Sequence, residues 1–220
     1  MGALKGSISV RRYAVLEPLP DDPRRKLMKG LRAHPFLPID PKGDIDRSVG
    51  WVSLLDSEDA ELHPEKVFFV ASGGEQLRAS VRIDVLKPPA SEVRRQLNTR
   101  VLATEAKEGR PLSKRERNEI KDEIARTLRL RTPPRVRVYD VVWNLDTKRL
   151  YFWSQTKATN ESFLELFTKT FGLRLEVEGP GRWAQAAAGK KALAKLEPTP
   201  ELWKGFEGLR PLNGALAEDV

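Results

Sequence analysis

From Pro88 to Val138 the apolar residues recur at a spacing that reads as two helices joined by a short turn, and this stretch limits what the rest of the chain can be. Val93, Leu97, Val101 and Leu102 follow Ser91, which stands where an N-cap belongs, and Gly109 with Pro111 stops the pattern. Ser113 and Glu116 then sit at capping-box spacing, and Ile120, Ile124 and Leu128 form a stripe four residues apart. Both stripes are narrow. Each helix can bury one seam against the other and little more, so the pair is expected to project as an arm with most of its circumference free.

The same stretch holds nearly all of the net charge. It carries fourteen bases and seven acids, a net of +7 in a chain whose formal charge is +8. Arg126, Arg129, Arg131, Arg135 and Arg137 run from the end of the second helix, through Pro133 and Pro134, into a strand on which alternation puts Arg135 and Arg137 on one face. Guanidinium forks in such a row suit successive phosphates. With a sequence pI of 9.8, the partner to expect is a polyanion: nucleic acid first, then an acidic membrane surface or an acidic protein. A polar hairpin can instead spend its charge on salt pairs four residues apart; Glu119 with Glu123 and Lys121 with Ala125 fit that poorly, although Glu116 and Glu119 have bases near them. Charge alone nominates Arg94, Arg95, Arg100, Lys114, Arg115, Arg117, Lys121, Arg126, Arg129, Arg131, Arg135 and Arg137 as DNA contacts.

Other functions find little support in the residues. The chain has no cysteine, which removes thiolate chemistry and thiolate metal sites, and its two histidines, His34 and His63, each lie beside a proline without ligand spacing. Asp44, Asp46, Asp84 and Asp140 allow a nuclease-like carboxylate pair to be imagined, but no lysine follows a strand acid as restriction-type nucleases require. The expectation is therefore no enzyme, no cofactor and no metal. Gly73-Gly74 reads as a turn, because no helix and no suitably placed lysine follow it. Trp143, Tyr151 and Trp153 fall on adjacent strands and could stack bases, but packing beneath helices is the simpler use for them. No run approaches the roughly 18 apolar residues of a membrane span, and the N-terminus lacks a signal-type apolar stretch, so a cytoplasmic protein with no membrane partner is expected.

Around the arm the pattern is mixed. A strand over 7–16 is followed by a short helix opened by Pro23, and residues 35–65 read as a long ordered connection anchored by Gly50-Trp51-Val52. Hairpins are predicted over 66–86, turning at Ser72–Glu75, and over 136–155, turning at Asn144–Thr147. A helix capped by Thr159 or Asn160 carries Phe163, Leu164, Leu166, Phe167 and Phe171 to Gly172, and a strand over 173–177 closes the set. Gly179-Pro180-Gly181 marks a break before a helical tail. The fold class is α+β: an antiparallel sheet of two strand hairpins plus edge strands, helices on one face, and the projecting αα-hairpin. The expected segments are 1–87, the arm 88–134, a second half 135–180 and the tail 181–220.

The order of these strings resembles the recombination-associated proteins of the RdgC family. The N-terminal strand, Gly50-Trp51-Val52, Leu86-Lys87-Pro88, the run Gly109-Arg110-Pro111-Leu112-Ser113-Lys114, Glu119-Ile120-Lys121-Asp122-Glu123 with Leu128, the second hairpin and the Phe163–Gly172 helix carry the likeness over roughly 1–180. The resemblance implies a non-enzymatic, largely sequence-independent duplex DNA-binding protein. It implies a homodimer, closed as a ring around DNA in the family, that restrains RecA-type strand exchange in the nucleoid. Family members are typically longer, with a short tail here where they continue, so the resemblance leaves an open dimer and a closed ring as alternatives. The competing reading is an interaction or self-assembly module whose basic arm binds an acidic partner.

Overall fold

In the computed structural model, residues 9–179 and Gly189 are described. Residues 1–177 cluster as one unit and 178–220 as a second; the helices expected after Gly181 and the first two residues of the expected 7–16 strand lie outside the described residues. The first unit runs β1 (Arg11–Val15), α1 (Pro23–Ala33), β2 (Arg47–Val52), α2 (Pro64–Val67), β3 (Phe68–Ala71), β4 (Gly74–Val85), α3 (Ala90–Glu108), α4 (Lys114–Arg129), β5 (Arg135–Asn144), β6 (Arg149–Phe152), α5 (Lys157–Phe171) and β7 (Leu175–Val177). Seven strands form one antiparallel sheet in the order β2-β4-β5-β6-β1-β7, with β3 paired to the first half of β4 on the side that β2 takes along its second half. This is the α+β architecture expected.

Alternation gives the sheet two unlike faces. Trp51, Val81, Ile83, Val141, Trp143, Leu150, Phe152 and Tyr13 share one of them, and they are buried. Onto that face α5 lays Phe163, Phe167 and Phe171, and α1 adds Leu27, Met28 and Leu31. The Phe163 ring stacks on Phe152 with centroids 4.1 Å apart, and Phe167 meets Trp143 edge-on at 5.4 Å. Aromatic rings packed this way bury large areas per residue, which is why two short helices suffice to cover this face. The opposite face is polar, with Arg82 and Asp84 joined by two 3.0 Å hydrogen bonds and the Ser80 hydroxyl donating to Asp140.

The region 35–65 corrects the sequence reading. Its anchor does not lie in a connection but is part of strand β2, and Trp51 is fully buried, its indole N–H donating to the Thr170 hydroxyl at 2.8 Å. The strand was hidden because Arg47-Ser48 is polar and Gly50 interrupts the β-type residues. Gly50 is there because the chain doubles back on itself: a Cβ would sit 2.4 Å from the Phe36 Cα. Two helix starts also differ. Helix α3 begins after Pro89 rather than at Ser91, with no side-chain cap. Helix α5 begins after Thr156, and Asn160, expected as its cap, is buried in the first turns, where it accepts from the Tyr13 hydroxyl and donates to the Ser154 and Thr156 carbonyls. A long-range bond to β1 thus outcompetes the local one.

Candidate nucleic-acid interface

Helices α3 and α4 form the connection between β4 and β5, whose residues Val85 and Arg135 are directly paired. The hairpin buries little of itself. Among its helix residues only Ile124 is buried, with Val93, Leu97, Val101, Ile120 and Leu128 half-buried along the seam and Leu102 exposed. At the turn, Leu112 is buried and its N–H donates to Glu105 at 2.9 Å, while the capping box of Ser113 and Glu116 opens α4 as the sequence predicts.

Ion pairing within the arm is far heavier than the sequence reading allowed. Glu92 pairs with Arg95, Glu119 with Arg115, Glu108 and Glu116 with Arg110, and across the two helices Glu123 pairs with Arg100 and Glu105 with Arg117. The cross-helix pairs were invisible to i,i+4 arithmetic, because they depend on which faces meet. These pairs hold carboxyls low: the hydrogen bonds from Arg95 and Gln96 bring Glu92 to about 2, and those from Arg110 and Ser113 bring Glu116 to about 2. Glu105 is lowered as well, chiefly by the Leu112 N–H and then by Arg117.

For a carboxyl depressed on folding, the stabilisation is complete above the unfolded value, about 4.3, and disappears as pH falls toward the folded one. Acidification from pH 5 to 2 is therefore expected to loosen the arm before the sheet. Amide hydrogen exchange should show protection in 92–128 falling while that of 77–83 persists; simultaneous loss would mean that the carboxylates do not hold the arm.

Arg129 has a different use. Its guanidinium donates to the carbonyls of Pro41 (3.0 Å) and Ile45 (2.6 Å) and pairs with Asp46, and its side chain is only 13% exposed. It fastens the base of α4 to the segment before β2. Arg129→Met should cost roughly 2 kcal/mol in urea unfolding, as loss of charged hydrogen bonds does. The salt dependence of any DNA affinity should stay as it was, and a reduced slope would place Arg129 among the phosphate contacts instead.

What is left over is cationic. Among the described residues Arg94, Lys107, Lys114, Lys121, Arg126, Arg131, Arg135 and Arg137 are exposed and form no ion pair, whereas Asp122 is the arm's one acid in that condition. Lys114 and Lys121, two helical turns apart, lie along one side of α4. Arg131, Arg135 and Arg137 follow the exit of the arm, and the last two share the helix-bearing face of the sheet with Arg47, beyond the end of the aromatic core. Of the twelve nominated residues, Arg95, Arg100, Arg115 and Arg117 are thus balanced within the arm, Arg129 is anchored at its base, and seven stand free. Arg47 was missed by sequence reasoning; only the register that places it across Val85 from Arg135 reveals it.

The three aromatics divide. Trp143 is fully buried beneath α5, as expected, but Tyr151 and Trp153 are half-buried on the opposite face. The carboxylates do not converge: Asp140 lies across from Ser80, four residues along β4 from Asp84, which is held by Arg82, and Asp46 is held by Arg129. Among the described residues no helix is long and apolar enough to cross a membrane.

A family model described as "Putative exonuclease, RdgC" matches residues 10–182 of the 220. The chain belongs to the RdgC family. The matched span takes in the whole sheet, α1, α5 and the arm, so the hairpin between β4 and β5 lies inside the family's shared region. No curated protein matches the chain.

Proposed function

We propose that the chain binds duplex DNA non-catalytically, through the phosphate backbone and largely without reading sequence, and that as an RdgC-family protein it acts as a homodimer that restrains RecA-type strand exchange on nucleoid DNA. The observation that carries this is the imbalance left after the arm's own ion pairs are made: eight exposed bases against one acid. Charges already neutralised by neighbours release no counterions from DNA, whereas free ones do. Arg94, Lys114, Lys121, Arg126, Arg131, Arg135 and Arg137 are the phosphate contacts in this reading, and Arg95, Arg100, Arg115 and Arg117 hold the arm in shape. Family membership supports the recombination role.

Duplex titrations followed by anisotropy between 50 and 200 mM salt are expected to give log affinity falling against log salt with a slope of about −4 to −6, for four to seven contacts. Scrambling the duplex should change affinity by less than about threefold. A slope shallower than about −2, or strong preference for one site, would defeat the reading. Asp46, Asp84 and Asp140 are each occupied by a partner in the fold, which supports the non-catalytic part. End-labelled duplex incubated with magnesium should come back at full length, and shortened product would overturn that part alone.

A further inference from the structure

β5 is only half covered on its β6 side. β6 pairs with Val141–Asn144, the Trp153 N–H donates to the Asp140 carbonyl as the last rung at 3.1 Å, and the Ser154 N–H then turns back to Phe152. Among the described residues nothing pairs with Arg135–Tyr139 on that side. Because the Asp140 backbone faces β6, alternation directs the N–H and C=O of Val138 and Val136 the same way, out of the sheet edge. Beside this edge is an open cleft of about 420 Å³ whose walls include Arg137, Val138, Tyr139, Trp153 and Gln155. Among the described residues the Trp153 indole N–H is buried without an acceptor, an arrangement that proteins avoid unless something supplies one.

We propose that this edge receives an extended acidic segment of a partner protein by strand addition. The segment's backbone pairs with Val136 and Val138, and its carboxylates meet Arg135, Arg137 and the donors of the cleft. Long exposed edges are normally blunted, and strand addition is the usual way they are used. Charge selects the occupant. A second copy adding antiparallel through the same edge would bring Arg135 and Arg137 against their own duplicates, and like charges directly opposed are unfavourable. Residues 1–8 contain Lys5 and no acid, so they lack the complement as well. The inference goes beyond DNA binding, although it shares Arg135 and Arg137 with the phosphate row.

The test uses the intact chain and a fluorescent ten-residue probe of alternating valine and aspartate, with two controls: the lysine counterpart, and the acidic probe N-methylated at every second residue so that it cannot pair. The acidic probe should bind, and both controls should bind at least tenfold more weakly. Val138→Pro removes the outward N–H, a change that edge strands tolerate, and should weaken the acidic probe at least tenfold while leaving duplex DNA affinity within about twofold. Arg135→Glu with Arg137→Glu should weaken both ligands. Equal binding of the methylated and plain acidic probes would reduce the effect to bulk charge and overturn the proposal. Absence of probe binding to the intact chain would also overturn it. A protein dimer dissolved by Val138→Pro would assign the edge to a second copy instead.

Discussion

Replacing Arg126, Arg131, Arg135 and Arg137 together by Gln is expected to weaken duplex binding by about 10³-fold at 0.1 M salt and to flatten the salt slope by roughly 3 to 4, because four released counterions are lost. The loss should be the same on every duplex sequence. A matched set, Arg100→Gln, Arg115→Gln and Arg117→Gln, removes nearly as much formal charge from groups already facing Glu123, Glu119 and Glu105. It should cost less than about tenfold in affinity and show instead as reduced helicity of the arm by circular dichroism. Equal losses from the two sets would mean that only total charge matters. No loss from the first set would remove the exit row from the interface.

Trp51→Ala should be the most damaging single change to the fold, costing about 3–5 kcal/mol as deletion of a buried Trp or Phe does. The indole is fully buried, its ring lies 5.7 Å from that of Phe171 and 6.3 Å from that of Phe163, and its N–H is bonded to Thr170, so truncation opens a cavity and strands a hydroxyl in one step. With typical domain stabilities of about 5–15 kcal/mol, this is a large share of the total. Urea unfolding with an unchanged slope but a much lower midpoint is the expected result, with Trp51→Phe falling between. A loss under about 1 kcal/mol would show that α5 is held down elsewhere.

The helical hairpin was legible because its start and stop signals are local: Ser113 and Glu116 open α4, and Gly109 ends α3. The second strand hairpin and the aromatic helix were legible because their apolar residues recur at one period. Arg129 was misplaced for the opposite reason. Its partners are backbone carbonyls more than eighty residues away, and nothing in the spacing of a basic row distinguishes an anchor from a phosphate contact. The pairing of Arg100 with Glu123 and of Arg117 with Glu105 likewise depends on the rotation of one helix against another. β2 escaped notice because three of its six residues, Arg47, Ser48 and Gly50, are poor strand formers in isolation; pairing with β4 and the approach of Phe36 decide its conformation.

The arm leaves the sheet after Val85 and returns at Arg135, two residues that face each other in adjacent strands. Everything between them is, to the sheet, a very long tight corner. Lengthening or shortening it by whole helical turns would change how far the spur reaches while leaving every rung of the ladder where it is, so evolution could resize the grip of such a protein without renegotiating its core.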